Sequence, residues 1–250
     1  MTTSTGTGAR LSGKRILVTG GSRGLGRALC TTFAEHGAKV ALTFVRHSEA
    51  ADEVRRACGS DARAYAVSSL DLASTEKAVR ELERDWGGID ILVNNAGITQ
   101  MLPLAMIDEE DWDQVLDVNV KGVFLTSKAV LPGMIRRRSG IILNIGSLAG
   151  ARMLIAPVHY ATSKAAIKGF TQAMAKELAR HQIRVLCLAP GLLDDGMGTN
   201  VPEAGLADYL HHCALGRLGT LKEAAELAAF LVSDENSYMN GETVILDGGV

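Results

Sequence analysis

Arg15-Ile16-Leu17-Val18-Thr19-Gly20-Gly21-Ser22-Arg23-Gly24-Leu25-Gly26 is the stretch on which the reading of this chain turns. Residues 15–19 form a strand-like run. Beyond the glycines, Leu25, Leu29 and Phe33 recur at helical spacing. Strand, glycine-rich turn and helix in that order place backbone N–H groups and a helix N-terminus where a pyrophosphate can lie. Glycine there allows a tight turn, positive φ and close approach of a ligand to the main chain. The spacing is Gly-x-x-x-Gly-x-Gly, not the Gly-x-Gly-x-x-Gly of the commonest dinucleotide fingerprint. A glycine-rich turn can also be nothing more than a turn.

Working outward, strand-like runs recur at 14–19, 38–45, 63–67, 89–94, 140–146, 183–189 and 242–246. Helical patterns fill the intervals at 24–36, 49–57, 75–86, 108–130, 160–180 and 222–233. This alternation predicts right-handed βαβ units, hence an α/β Rossmann-type fold. The expected core is a doubly wound parallel sheet of about seven strands with helices on both faces. No repeat or linker divides the chain, so residues 11–250 are expected to form a single catalytic domain behind a disordered tail at 1–10. Residues 191–220 break the rhythm with glycines around a short helical segment, and are expected to form a substrate lid. A long ordered loop is the alternative.

Composition narrows the function classes. The chain has 250 residues, 47% of them hydrophobic, with 27 glycines suited to many tight βα turns. A net charge of −2 and 4% aromatic residues give no reason to expect nucleic-acid binding. No apolar run reaches the ~18 residues of a membrane span. The Thr/Gly/Ser-rich start lacks the apolar core of a signal peptide. Cys30, Cys58, Cys187 and Cys213 form no Cys-x-x-Cys pair, which fits free thiols in a cytoplasmic protein. His211-His212-Cys213 has no second ligand cluster to complete a metal site, so no metal is expected.

Tyr160 and Lys164 lie four residues apart, with Ser147 thirteen residues before the tyrosine. On a helix this spacing puts phenol and ammonium on one face. A tyrosine titrates near ~10, and bringing it to neutrality takes about 4 kcal/mol, for which a nearby cation is the means at hand. Ser147 ends the apolar run 141–146, where sites form in open α/β sheets. Together the three suit proton transfer at a carbonyl or carbinol oxygen. By chance alone, a Tyr-x-x-x-Lys pair also occurs on many helices.

Cofactor preference is legible near the end of the second strand. An acidic residue about 20 positions beyond the glycines usually binds a ribose 2′-hydroxyl, whereas arginine accommodates a 2′-phosphate. Arg46 stands there, and no Asp or Glu occurs between Val40 and His47. Arg23 in the turn is a second cation able to face that phosphate. The pair predicts NADPH over NADH, unless both arginines are ordinary surface charges.

Thr19-Gly20-x-x-x-Gly24-x-Gly26, Asn94-Asn95-Ala96-Gly97, Asn119, Ser147, Tyr160-x-x-x-Lys164 and Pro190-Gly191 stand in one order along residues 11–250. In that order and spacing the chain resembles the short-chain dehydrogenase/reductase family. Within it, Val93 to Thr99, Gly216-Arg217-Leu218-Gly219 and the segments Gly241-Glu242-Thr243 and Asp247-Gly248-Gly249 are most similar to the 3-oxoacyl-(acyl-carrier-protein) reductases. The resemblance implies Tyr160 as general acid, with Lys164 lowering its pKa and binding the nicotinamide ribose. Ser147 would donate to the carbonyl oxygen, and Asn119 would hold a water linking Lys164 to solvent. Gly20, Ser22, Arg23, Gly24, Leu25 and Gly26 would cradle the cofactor phosphates, and Arg46 would meet the 2′-phosphate. Asp71 and Leu72 would hold the adenine, Asn95, Ala96 and Gly97 the ribose side, and Pro190, Gly191 and Leu193 the nicotinamide. A homotetramer is implied too, pairing helices 108–130 and 160–180 across a two-fold axis.

One departure stands out. Near position 195 the family pattern has threonine or serine, but this chain has Asp194-Asp195. Either Asp195 meets the carboxamide, or the loop shifts to bring Thr199 into use. The leading expectation is NADPH-dependent reduction of a 3-oxoacyl thioester, with Arg137 and Arg138 docking an acyl carrier protein. The alternatives are an oxidoreductase of a free alcohol, ketone, sugar or steroid, or a non-catalytic dinucleotide-binding regulator.

Overall fold

Seven parallel strands form one sheet in the order β3-β2-β1-β4-β5-β6-β7 in the computed structural model, which describes residues 9–196 and 201–250. The strands are β1 Arg15–Val18, β2 Lys39–Phe44, β3 Arg63–Ala66, β4 Ile91–Asn94, β5 Gly140–Ile145, β6 Ile183–Pro190 and β7 Thr243–Leu246. Between them run α1 Gly24–Glu35, α2 Ser48–Ala57, α3 Leu72–Trp86, α4 Glu109–Leu116, α5 Gly122–Arg137, α6 Val158–Leu178, α7 Glu203–His212 and α8 Leu221–Leu231. Strand order reverses direction between β1 and β4, the crevice where open α/β sheets bind ligands. Of the expected tail, residues 1–8 lie outside the described residues; Leu11 is buried and Arg10 pairs with Glu235 at 3.3 Å.

The strand pleat sorts side chains into two cores. Ile16 and Val18 face Leu29 and Phe33 of α1 and Ala225 and Ala228 of α8. Leu17 between them faces the opposite layer, with Leu82 of α3, Met134 of α5 and Leu178 of α6. The alanines of α8 let it lie close against α1.

The helix expected at 108–130 is longer and interrupted. Residues 117–121 form a π turn between α4 and α5, and α5 then runs through Pro132 to Arg137, ending in left-handed Arg138 (φ 51°). Burial of Val130 and Met134 on either side of the proline carries the helix across the lost N–H bond.

A buried polar ladder ties the second layer to the sheet. Asn94 and Asn144 are register partners on β4 and β5. Asn94 Nδ2 donates to Asn144 Oδ1 at 2.9 Å and to Ser127 Oγ at 3.1 Å, and the Thr126 hydroxyl meets Asn94 Oδ1. Asn144 Nδ2 donates to Thr171 Oγ1 at 2.9 Å. The ladder thus joins β4, β5, α5 and α6, and its side-chain groups have the partners that burial demands.

Candidate active site

Two loops leave the reversal point side by side. Thr19 Oγ1, after β1, accepts the N–H groups of Asn95 and Ala96, each at 3.0 Å. Asn95 Nδ2 donates back to the carbonyls of Thr19 (2.9 Å) and Gly20 (3.0 Å). These contacts fix the glycine turn against the loop after β4. Gly20 and Gly24 adopt φ of +66° and +50°, which side chains rarely do. A Cβ on Gly26 would overlap the Gly20 carbonyl oxygen, so that glycine serves close packing of α1 on the turn. The N-cap residue of α1, Arg23, makes no side-chain cap, so its side chain satisfies none of the first-turn N–H groups.

Among the described residues neither Arg23 nor Arg46 forms an ion pair or a side-chain hydrogen bond, and Arg46 is exposed two residues beyond β2. Left-handed glycines and an uncapped helix start fit the pyrophosphate of a dinucleotide, and the two uncommitted guanidinium groups stand on the neighbouring turns. Asp71, expected beside the adenine, stands exposed at the start of α3. Its carboxylate caps α3, accepting Ser74 N–H at 3.0 Å and Ser74 Oγ at 2.6 Å, which lowers its pKa.

Ser147, Tyr160 and Lys164 converge beyond the end of β5. Lys164 is 4% exposed, and its Nζ lies 5.8 Å from the centre of the Tyr160 ring. The chain does not show the lowered phenol that the i, i+4 spacing predicts. Burial pushes the Tyr160 phenol above its ordinary value, and a hydrogen bond from Ser147 only partly offsets it. Lys164 Nζ instead donates to the Ile145 carbonyl at 2.8 Å, and burial brings its pKa down to about 8. Ser147 Oγ accepts the Ala149 N–H at 3.2 Å, so its one proton can turn to the Tyr160 phenol or to a substrate oxygen.

Asn119 sits on the π turn, a common device for re-aiming a helix at a functional site. Its Oδ1 accepts Ile98 N–H (2.8 Å), and its Nδ2 donates to Ile98 O and Ser163 Oγ (both 2.9 Å). A Cβ on Gly97 would stand 3.2 Å from Asn119 Oδ1 and 3.5 Å from Lys164 Nζ, so these three residues share one corner.

The loop after β6 is held by bonds of its two aspartates. Asp194 accepts the Leu221 N–H at 3.1 Å at the start of α8, and Leu193 bridges to Gly219. Asp195 Oδ1 accepts the Gly196 N–H. Thr199 lies outside the described residues. From α7, the Tyr209 hydroxyl accepts Leu192 N–H (3.1 Å) and donates to the Asp247 carbonyl (3.3 Å). Tyr209, Ser163 and the pair His159–Gln100 are site neighbours that the motifs do not single out.

Arg137 and Arg138 lie elsewhere. They end α5 just before β5 begins, whereas Ser147 follows its end, a strand of about 20 Å away at ~3.3 Å per residue. Arg137 is committed to the Ile89 carbonyl and Glu83, and Arg138 donates to the Arg180 carbonyl at 3.1 Å. Neither side chain therefore lines this chain's own site. Among the described residues, no His, Cys, Asp and Glu cluster could hold a metal, and no helix is long and apolar enough to cross a membrane. The four cysteines are free.

A nucleotide-type crevice beside a Ser–Tyr–Lys group matches what sequence comparison finds: the short chain dehydrogenase family model covers residues 14–205, and the chain belongs to that family. It is an oxidoreductase acting on CH–OH or C=O groups with a nicotinamide dinucleotide cofactor. The chain is 39% identical to the 3-oxoacyl-(acyl-carrier-protein) reductase of Thermotoga maritima, over 96% of this chain and 99% of that one. The enzyme of the same name from Escherichia coli is 37% identical, over 95% and 97%. Among solved structures, a double mutant of a Serratia marcescens short-chain dehydrogenase/reductase superposes with a TM-score of 0.87 at 34% identity, covering 96% and 98%.

Proposed function

We propose that the chain reduces a 3-oxoacyl thioester to the 3-hydroxyacyl thioester with NADPH. The observation that carries the reading is the half-buried pair Ser147 and Tyr160, with buried Lys164 behind them, set beside the β1–β4 crevice. Bound in that crevice, the nicotinamide supplies the hydride, the protein supplying orientation and charge. Gly20, Ser22, Gly24, Leu25 and Gly26 hold the pyrophosphate on backbone N–H groups, and Asn95, Ala96, Gly97, Pro190, Gly191 and Leu193 border the rest. Ser147 donates to the substrate carbonyl oxygen and Tyr160 protonates it. The raised phenol pKa keeps Tyr160 protonated at neutral pH, the state a proton donor needs. With a pKa of about 8, Lys164 is largely charged at neutral pH, and two of its protons remain free beyond the Ile145 bond.

Exposed apolar side chains favour an acyl substrate. Leu104 and Met106 on the loop after β4, and Met153 and Ile155 on the loop after β5, stand in solvent at the sheet edge that holds Ser147. An acyl chain would cover surface that a sugar would leave wet. Oxidation of NADPH with acetoacetyl thioesters, compared with free ketones and sugars, tests this. Faster turnover of the free ketones would replace the thioester reading with the small-ketone one.

Arg46→Asp is expected to weaken NADPH on the order of 10- to 100-fold, since a hydrogen bond to a charged group is lost and repulsion replaces it. NADH should be nearly unaffected. Equal losses for the two cofactors would remove Arg46 from the phosphate site.

The carrier and the assembly belong together in this reading. A carrier protein seated at Arg138 faces the wrong edge of its own sheet, but antiparallel pairing of α5 and α6 across a two-fold axis would bring it to a partner subunit's site. Arg138→Glu in the proposed homotetramer should therefore raise KM for carrier-linked substrate and spare a short thioester, an effect that added salt shrinks. Arg137 is unsuitable for this test because its guanidinium holds the Ile89 carbonyl. A light-scattering mass of 26.5 kDa, that of one chain, would defeat the reading.

A further inference from the structure

The first turn of α6 is built without an N-cap side chain. Pro157 occupies that position and makes no side-chain cap. Helical bonding begins only at Ala161, whose N–H donates to the Pro157 carbonyl at 2.9 Å. The N–H groups of residues 158–160 therefore have no partner inside the helix.

His159 takes the last of these. Its Nδ1 lies 2.9 Å from the Tyr160 nitrogen. An amide N–H can only donate, so Nδ1 is the bare nitrogen and Nε2 carries the proton. The other side of the ring agrees, with Nε2 lying 3.2 Å from Gln100 Oε1. Gln100 Nε2 donates to Asp111 Oδ1 at 2.7 Å, which turns the amide oxygen towards the ring. His159 is 0% exposed. On the far side of the same residue, the Tyr160 carbonyl accepts from Ser163 Oγ at 2.7 Å, and Ser163 is held in turn by Asn119. Both main-chain polar groups of Tyr160 are thus fixed by side chains.

We propose that neutral His159 is a positioning residue for Tyr160, capping its N–H through Nδ1 and bracing the first turn of α6, through Gln100, on Asp111 of α4. Its link to turnover rests on Tyr160 being the proton donor. Protonation of Nδ1 would set N–H against N–H, in a dry site at the positive end of a helix. Among the described residues, Asp111 on α4 is the charged group that favours the imidazolium, while the π turn presents neutral Asn119. Burial outweighs Asp111 and holds the ring below its ordinary pKa. The unfolded chain therefore takes up this proton first, and the bracing is lost as pH falls below about 6.5.

Two substitutions separate capping from packing. In His159→Asn a side-chain oxygen accepts at the same place but does not titrate; in His159→Leu the volume stays and the acceptor goes. The wild type should show a fall in kcat on the acid side of about pH 6.5. His159→Asn keeps the cap and gives up the contact to Gln100, so it should keep most of the neutral-pH turnover and lose that limb. His159→Leu should lose ~10-fold or more in kcat, with KM for NADPH nearly unchanged, because misplacement of a reacting group acts on the chemical step.

Long-range ¹H–¹⁵N NMR reads the ring without any substrate. The signal absent from the His159→Asn spectrum should be an Nε2–H tautomer that titrates below about 6.5. That readout stands even if no carbonyl compound is turned over, so failure of the reductase reading and failure of the capping reading are distinguishable. An Nδ1–H tautomer, or equal turnover and equal acid limbs in the two variants, would overturn the proposal. If His159→Leu does not fold by circular dichroism, persistence of the acid limb in His159→Asn overturns it instead.

Discussion

Tyr160→Phe is expected to lower turnover by at least ~100-fold, the low end for general acid–base catalysis. That factor corresponds to about 2.7 kcal/mol at the transition state. Phenylalanine preserves the ring beside Lys164 and the first turn of α6, and removes only the phenol hydroxyl. NADPH affinity should stay near the wild-type value, because none of the crevice contacts at Gly20–Gly26 involves that oxygen. Stopped-flow NADPH oxidation with a titration of cofactor fluorescence measures both quantities. Near-normal turnover in a folded variant would take the proton-donor role away from Tyr160.

The second large effect should come from Gly26→Ala. The new methyl would overlap the Gly20 carbonyl oxygen and lie 2.6 Å from Asn95 Nδ2. Neither neighbour can yield cheaply, since one is backbone and each is the other's hydrogen-bond partner. Overpacking of this kind costs about 3 kcal/mol. In a chain of this size Tm would then fall by roughly 6–12 °C. NADPH binding should weaken as well, because α1 must move off the turn that positions its N-terminus. Calorimetry and fluorescence titration test the two halves. An unchanged Tm with unchanged affinity would show that the turn accommodates a side chain.

Much of the architecture was legible because most of the strands are short apolar runs bounded by turn residues, which suits a parallel sheet. The crevice was legible from a local pattern, strand then glycines then helix. What escaped depends on contacts between distant segments. The π turn at 117–121 follows from the bonds of Asn119 to Ile98 and Ser163, which no periodicity encodes. The passage of α5 through Pro132 depends on core packing of Met134. Lys164 was placed on the right helix face, yet the carbonyl that claims its ammonium belongs to β5, nineteen residues earlier. Arg137 and Arg138 read as a surface patch, but strand direction puts them at the sheet edge opposite Ser147. His159 had a signal that went unused, a helix opening on Pro157 with no capping side chain before it.

The amide ladder through Asn94 and Asn144 bears on how such a protein can change. Sliding α5 or α6 by one turn, about 5.4 Å, would strand several amide and hydroxyl groups in a dry interior, at about 1–3 kcal/mol apiece. Intermediate positions are no better, because hydrogen bonds offer few places to stop. The two helices are therefore held like keys in a lock with one setting. Their outward faces can be rewritten to suit a new assembly while Asn119, Tyr160 and Lys164 stay where they are. The inward faces have no such freedom.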